Sequence, residues 1–264
     1  MDEQLTPPPQ GEIVEPMTFT EQITNLFASP GELFDNVRDT PSTASNWLVP
    51  LAIFIAVTIA MSQTIFHNPS LVGQYKDQVH QGIEKKLNES IQQGKMTPEQ
   101  AEQAREMGEK FSDPSSPLAM GFQIGGIVIG TPIVLFLVAL LYWLMGKTII
   151  KAEQPYMKIV EVVGLTFFIS TLESIVNTIL VIGLDNIHAS PGLGLAVMNG
   201  FSLDNKLHVI LSKINIFTIW GLAVTGIGLG HLFQRDTPKV LVLVFARWIL
   251  WIVFQLLSGM QFGG

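Results

Sequence analysis

Apolar residues in this chain run in long blocks rather than alternating or recurring on one helical face. No Asp, Glu, Lys or Arg occurs between Thr40 and Tyr75, between Pro114 and Gly146, or between Ile214 and Gln234. A hydrocarbon core about 30 Å thick is crossed by about 20 apolar helical residues. Residues 47–66, 120–146 and 214–233 therefore predict spans one, two and four. Two further blocks carry one or two charges each: 157–183, with Glu161 and Glu173, and 240–258, with Arg247. They predict spans three and five. Five helices apolar on all faces would leave a soluble bundle too little polar surface to meet water. The expected fold class is an all-α integral membrane protein with five transmembrane helices.

Between and before these blocks the pattern changes to amphipathic. Residues 1–17 are acidic and proline-rich and read as a disordered tail. In 18–40, Phe19, Ile23, Leu26 and Phe27 fall at helical spacing, and Leu33, Phe34 and Val37 repeat it. Ser29-Pro30-Gly31-Glu32 has the form of a capping box with proline at the first helical position, so a second short helix starts there. This N-terminal amphipathic pair either lies at the membrane interface and docks a partner through Phe19, Ile23, Phe27, Leu33 and Phe34, or packs on the chain's own bundle. Residues 67–119 predict an extracytoplasmic helical hairpin. Val79, Ile83, Leu87 and Ile91 lie four apart, Gly94 ends the run, and Thr97-Pro98-Glu99-Gln100 caps the second helix. The loop 184–206 is too apolar for ordinary exposure and too broken by Gly and Pro to span.

Charge adds orientation. The chain carries 22 acidic and 15 basic residues, but the first 46 positions hold eight acids and one base, Arg38. The formal charge of −7 thus belongs to the N-terminal segment, and the remainder is neutral. No basic face exists for nucleic acid. With the N-terminus inside, the inner segments carry Arg38, Lys147, Lys151, Lys158, Arg235 and Lys239 against Lys206 and Lys213 in the short outer loop. That asymmetry points to a cytoplasmic N-terminus and an extracytoplasmic C-terminus. The long hairpin holds six bases, most of them far from a membrane edge.

Polar residues at membrane depth are the candidate chemistry. Thr166, Ser170, Glu173, Ser174 and Asn177 recur at spacings of three and four, which lines them along one face of span three. A carboxylate there must be paired, protonated or facing a wet cavity. Counting 1.5 Å per residue puts Glu173 roughly 14 Å and Lys213 roughly 8 Å below the outer surface, a feasible pair. Glu161 and Arg247, roughly 6 and 12 Å from the inner surface, form a second candidate pair. Such a stripe reads either as a proton or substrate pathway or as interhelical polar glue, and one stripe without a facing one favours glue.

Gly121, Gly125, Gly126 and Gly130 in span two, and Gly226 and Gly230 in span four, sit four apart and let helices approach closely. The expected contact is within one chain, although the same registers suit a homo-oligomer. Gly146-Lys147-Thr148 resembles the end of a phosphate-binding loop, but Leu141 stands where that loop needs glycine. The absence of cysteine excludes thiol chemistry and Cys-ligated metals. The five histidines have no metal-ligand spacing, and no serine elbow or paired-aspartate motif occurs. The expectation is a non-enzymatic protein without cofactor or metal.

Two stretches resemble a known family. Asn25 to Leu51 (NLFASPGELFDNVRDTPSTASNWLVPL) looks like the entry to bacterial members of the Yip family, the Ypt/Rab-interacting proteins, in which a Phe-x-Ser-Pro helix leads into the first of five spans. Asn215 to Leu222 (NIFTIWGL), followed by Gly226 to Leu229, is similar to that family's fourth span. The resemblance covers about residues 25–258. It implies a five-span domain with a cytosolic N-terminus in the bacterial inner membrane. The Tyr-Gly-Pro motif of the eukaryotic, Rab-linked relatives is absent here. Some bacterial relatives are encoded beside export machinery, which implies an accessory role in a membrane complex. The expected function is a scaffold or accessory subunit with membrane lipid and a membrane-protein partner, the alternative being a small transporter or lipid-handling protein.

Overall fold

The computed structural model describes residues 14–258, so residues 1–13 of the expected disordered tail lie outside them, while the end of that tail is held to α2, Asn36 donating to the Glu15 carbonyl at 2.8 Å and accepting from the Met17 amide at 3.0 Å. Eleven α-helices follow in order among the described residues: α1 Phe19–Ala28, α2 Pro30–Asp39, α3 Ser45–Phe66, α4 Pro69–Gln92, α5 Pro98–Ser112, α6 Pro117–Met145, α7 Tyr156–Leu165, α8 Phe167–Gly183, α9 Lys206–Ser212, α10 Ile216–Phe233 and α11 Thr237–Ser258. No β-strand forms among them, only an isolated bridge between Gly192 and Asn215. Five segments are long and apolar enough to cross a membrane: Ser45–Phe66, Pro117–Ile150, Tyr156–Gly183, Ile216–Phe233 and Thr237–Ser258. These are the five blocks expected from the sequence. Span one starts two residues earlier, and spans two and five three residues earlier, than expected, because Ser45, Pro117 and Thr237 already lie inside the helices, whereas span four starts two residues later, at Ile216 after the Asn215 cap.

Local signals explain most boundaries. Thr18 and Glu21 form a reciprocal capping box that starts α1, and Thr97 and Gln100 form another at α5. Ser29, by contrast, makes no side-chain cap, so α2 owes its start to Pro30 at the first helical position. Gly94 turns the hairpin with φ +65°, a conformation nearly free for glycine. Span two runs past Met145 through a π-helical turn, Gly146–Ile150, and stops at Lys151 in the left-handed region (φ 54°, ψ 45°). Span three breaks into α7 and α8 at Thr166, whose hydroxyl donates to the carbonyl of Val163 at 2.7 Å. Such back-bonding competes with the helical ladder.

The core lies at the end of the bundle that holds the N-terminal helices. Leu26, Leu33, Phe34 and Val37 are at most 1% exposed, packed with α7, α10 and the C-terminal half of α6. Every residue of α7 from Lys158 to Leu165 is buried. The α1–α2 pair therefore packs on the chain's own bundle, and α2 fits against α10 at Gly228. A Cβ on Gly228 would lie 2.8 Å from both Phe34 Cδ2 and Val162 Cγ1. At the opposite end the α4–α5 hairpin meets the loop after α8 through a small cluster of Leu71, Val181 and Ala189.

Candidate functional site

The charged groups of the spans mark three polar junctions, each built by residues from different elements. The first lies under the N-terminal segment. Glu161 is 0% exposed on α7, and its Oε2 accepts from Asn46 Nδ2 at 2.7 Å. Asn46 in turn accepts from Gln22 Nε2 of α1 at 2.9 Å. One turn before Glu161, Lys158 places its ammonium 3.7 Å from Glu161 Oε2 and donates to the carbonyls of Val37 and Thr40. Those two carbonyls lie at the C-terminal end of α2, where helical acceptors are left over. The chain α1–α3–α7–α2 is thus closed by side chains that are all buried or half-buried.

This arrangement corrects the expected pair of Glu161 with Arg247. Arg247 Nε donates to the Tyr142 hydroxyl at 2.9 Å, and its guanidinium lies 4.9 Å from that ring's centre. The second junction therefore joins α11 to α6, not to α7. Lys158 is thus a buried base rather than one that faces solvent.

The third junction involves the stripe of span three. Glu173 Oε1 accepts from Asn215 Nδ2 at 2.6 Å, beside the Thr218 hydroxyl. Asn215 also caps α10, its Oδ1 accepting from the Thr218 amide at 2.8 Å. The hydrogen bonds to Glu173 come from these neutral groups rather than from the expected Lys213. Thr166 belongs to the break between α7 and α8. Ser170, Ser174 and Asn177 stay half-buried, and among the described residues their side chains have no hydrogen-bond partner.

The remaining candidates separate. Leu33 and Phe34 are consumed by the core, so they offer no docking surface, and Ile23 packs half-buried against it. Phe19 and Phe27 stay partly exposed while their rings sit 5.6 Å from Phe168 and 5.0 Å from Trp220. Gly226 and Gly230 do pack within the chain: Cβ atoms there would lie 2.5 Å from Leu241 Cδ2 and 2.8 Å from Thr237 Oγ1. Gly121, Gly125, Gly126 and Gly130 do not, for among the described residues nothing lies within 4 Å of a Cβ built on any of them. The reason is that α6 meets the bundle through Leu135, Ala139 and Tyr142, well past the glycine registers.

Outside the spans, the hairpin is tied to the loop after α8. Ser70 Oγ donates to Asp185 at 2.7 Å, Gln74 donates to the Asp185 carbonyl at 2.8 Å, and Lys85 pairs with Asp204. A cavity of about 370 Å³ opens there beside His188, which stacks on Phe201 at 4.2 Å. Burial holds the His188 imidazole below its ordinary value. Among the described residues, no group of three or more His, Asp and Glu lies together in a way that could hold a metal ion.

Asn46, Lys158 and Asn215 were missed as site residues. Lys158 had a readable signal, the i,i+3 spacing to Glu161. Asn46 and Asn215 had only their positions at helix starts, and their partners lie 115 and 42 residues away.

With this geometry in place, comparison with known proteins is specific. The model of one family, the Yip1 domain, matches residues 24–259. No curated protein and no solved structure matches the chain.

Proposed function

Since the chain belongs to the Yip1 domain family and carries five helices able to cross a membrane, we propose that this integral membrane protein is a non-enzymatic scaffold or accessory subunit of a membrane complex. Its N-terminus lies in the cytoplasm and its C-terminus outside, in a bacterial inner membrane. One observation carries the reading. The ionisable groups Glu161, Glu173 and Arg247 bind residues of other elements of the same chain, while only 11% of the most apolar window of the span containing α6 is buried. Polar groups are thus spent on joining helices, and a long apolar helix is left for lipid or a second membrane protein. The export-linked setting of similar bacterial proteins agrees with this.

Recovery of the full chain in mild detergent tests the proposal. A partner should co-purify in fixed ratio, and its absence under several mild detergents would count against a scaffold. The competing reading, a polar path along span three, draws support from the unpartnered Ser170, Ser174 and Asn177. Reconstituted Glu173→Gln decides between them. A scaffold leaves liposome proton and lipid flux at the wild-type level, whereas a path loses it.

A further inference from the structure

At the end of span two the chain makes an unusual descent. The α-helix gives way to a π-helical turn, and Lys151 then takes a left-handed conformation that non-glycine residues rarely adopt. The loop that follows is pinned beneath the helix end. Ala152 N donates to the Gly146 carbonyl at 3.1 Å, Trp143 Nε1 donates to the Gln154 carbonyl at 3.2 Å, and Arg235 donates to the Lys151 carbonyl at 3.3 Å. Between helix and loop a cavity of about 370 Å³ remains, lined by Trp143, Lys147, Ala152, Glu153, Gln154 and Pro155. The strained residue and the three pins hold a wall in place rather than filling the space.

We propose that this cavity binds the headgroup of a phospholipid carrying both a phosphate and a primary amine, a phosphoethanolamine lipid. Lys147 and Glu153 carry opposite charges on the same cavity, yet neither forms an ion pair with another described residue. A zwitterion satisfies both, with its phosphate at Lys147 and its ammonium at Glu153. A purely anionic headgroup would instead face the Glu153 carboxylate, and a quaternary ammonium would give that carboxylate no N–H donor. Lys147 already lies 5.3 Å from the centre of the Trp143 ring, which sets the ammonium at the level expected of an interfacial tryptophan. Directly along α6 the exposed Leu140, Leu141 and Leu144 provide an acyl-chain track. The site sits at the membrane end that holds the N-terminal helices, whichever way the protein is inserted.

The test uses the full chain in nanodiscs of equal parts phosphatidylcholine, phosphatidylethanolamine and phosphatidylglycerol, read by native mass spectrometry. The wild type should retain phosphatidylethanolamine over either other lipid. Glu153→Gln should lower its retention to that of phosphatidylcholine, a change of about twofold to fivefold for one partly exposed charge contact. Lys147→Ala should lower all three lipids together, while Lys95→Ala in the hairpin should change none. Equal retention of the three lipids by the wild type, or preference for phosphatidylglycerol, overturns the proposal, as does an unchanged Glu153→Gln. Free O-phosphoethanolamine added to delipidated protein separates the sources. If it binds as tightly as the lipid, the ligand is a soluble headgroup and the lipid assignment is wrong.

Discussion

Replacing Glu161 with Leu probes the junction that seats the N-terminal helices. Glu161 is 0% and Lys158 6% exposed, so the substitution leaves a buried ammonium 3.7 Å from where its counter-charge stood. Removing one partner of a buried pair costs about 3–5 kcal/mol. Losing the acceptor for Asn46 Nδ2 costs a further ~1 kcal/mol. For a chain of this size the sum lowers the thermal midpoint in detergent by roughly 10 °C. Lys158→Met alone frees the Val37 and Thr40 carbonyls and leaves the Glu161 carboxylate buried without its ammonium. The double variant removes both charges together, so it should recover about 2 kcal/mol relative to the sum of the two single variants. Because the chain has no cysteine, a Val37→Cys reporter gives a second, local readout. Val37 is 1% exposed, so maleimide should label it slowly in the otherwise wild-type chain and quickly beside Glu161→Leu. Strict additivity of the two single variants, or a Val37→Cys that stays protected beside Glu161→Leu, would refute the reasoning that this pair holds α2 in place.

Other perturbations separate local from tertiary effects. Gly226→Leu drives a side chain into Leu241 and should cost about 1–3 kcal/mol by thermal melting, whereas Gly125→Leu, facing open space, should leave the midpoint unchanged. Gln234 ends α10 in the left-handed region (φ 50°, ψ 48°), so Gln234→Gly should stabilise by about 0.5–1 kcal/mol, and a lowered midpoint would contradict this. His188 is held below its unfolded value of 6.5 by burial. As pH falls through 6.5 the unfolded state takes up a proton that the folded state refuses, so stability is lost on acidification until the folded group also titrates. Proteolysis of the loop after α8 should therefore accelerate as pH falls from neutral through 6.5, and His188→Gln should flatten that dependence.

The spans, the turn at Gly94 and the Thr97 cap were legible from short windows of sequence, because each depends on information within a few helical turns. A block without charges, a Thr-x-x-Gln before a helix, or a glycine in a tight turn acts locally and needs no partner. The polar candidates were legible as residues but not as pairs. Glu161 and Arg247 sit at compatible depths, yet depth along the bundle does not say which helices face each other. The tertiary structure put Asn46 and Lys158 around Glu161 and left Arg247 to Tyr142. The glycines make the same point, since identical four-residue spacing is close-packed in α10, which α2 and α11 cover, and open in α6, which the bundle touches only farther along. Likewise the amphipathic face of α1 and α2 was visible from its periodicity. Whether that face met lipid, a partner or the chain's own core was set by long-range packing of Phe34 and Val37 on α7 and α10, a competition between surfaces that no short window of sequence contains.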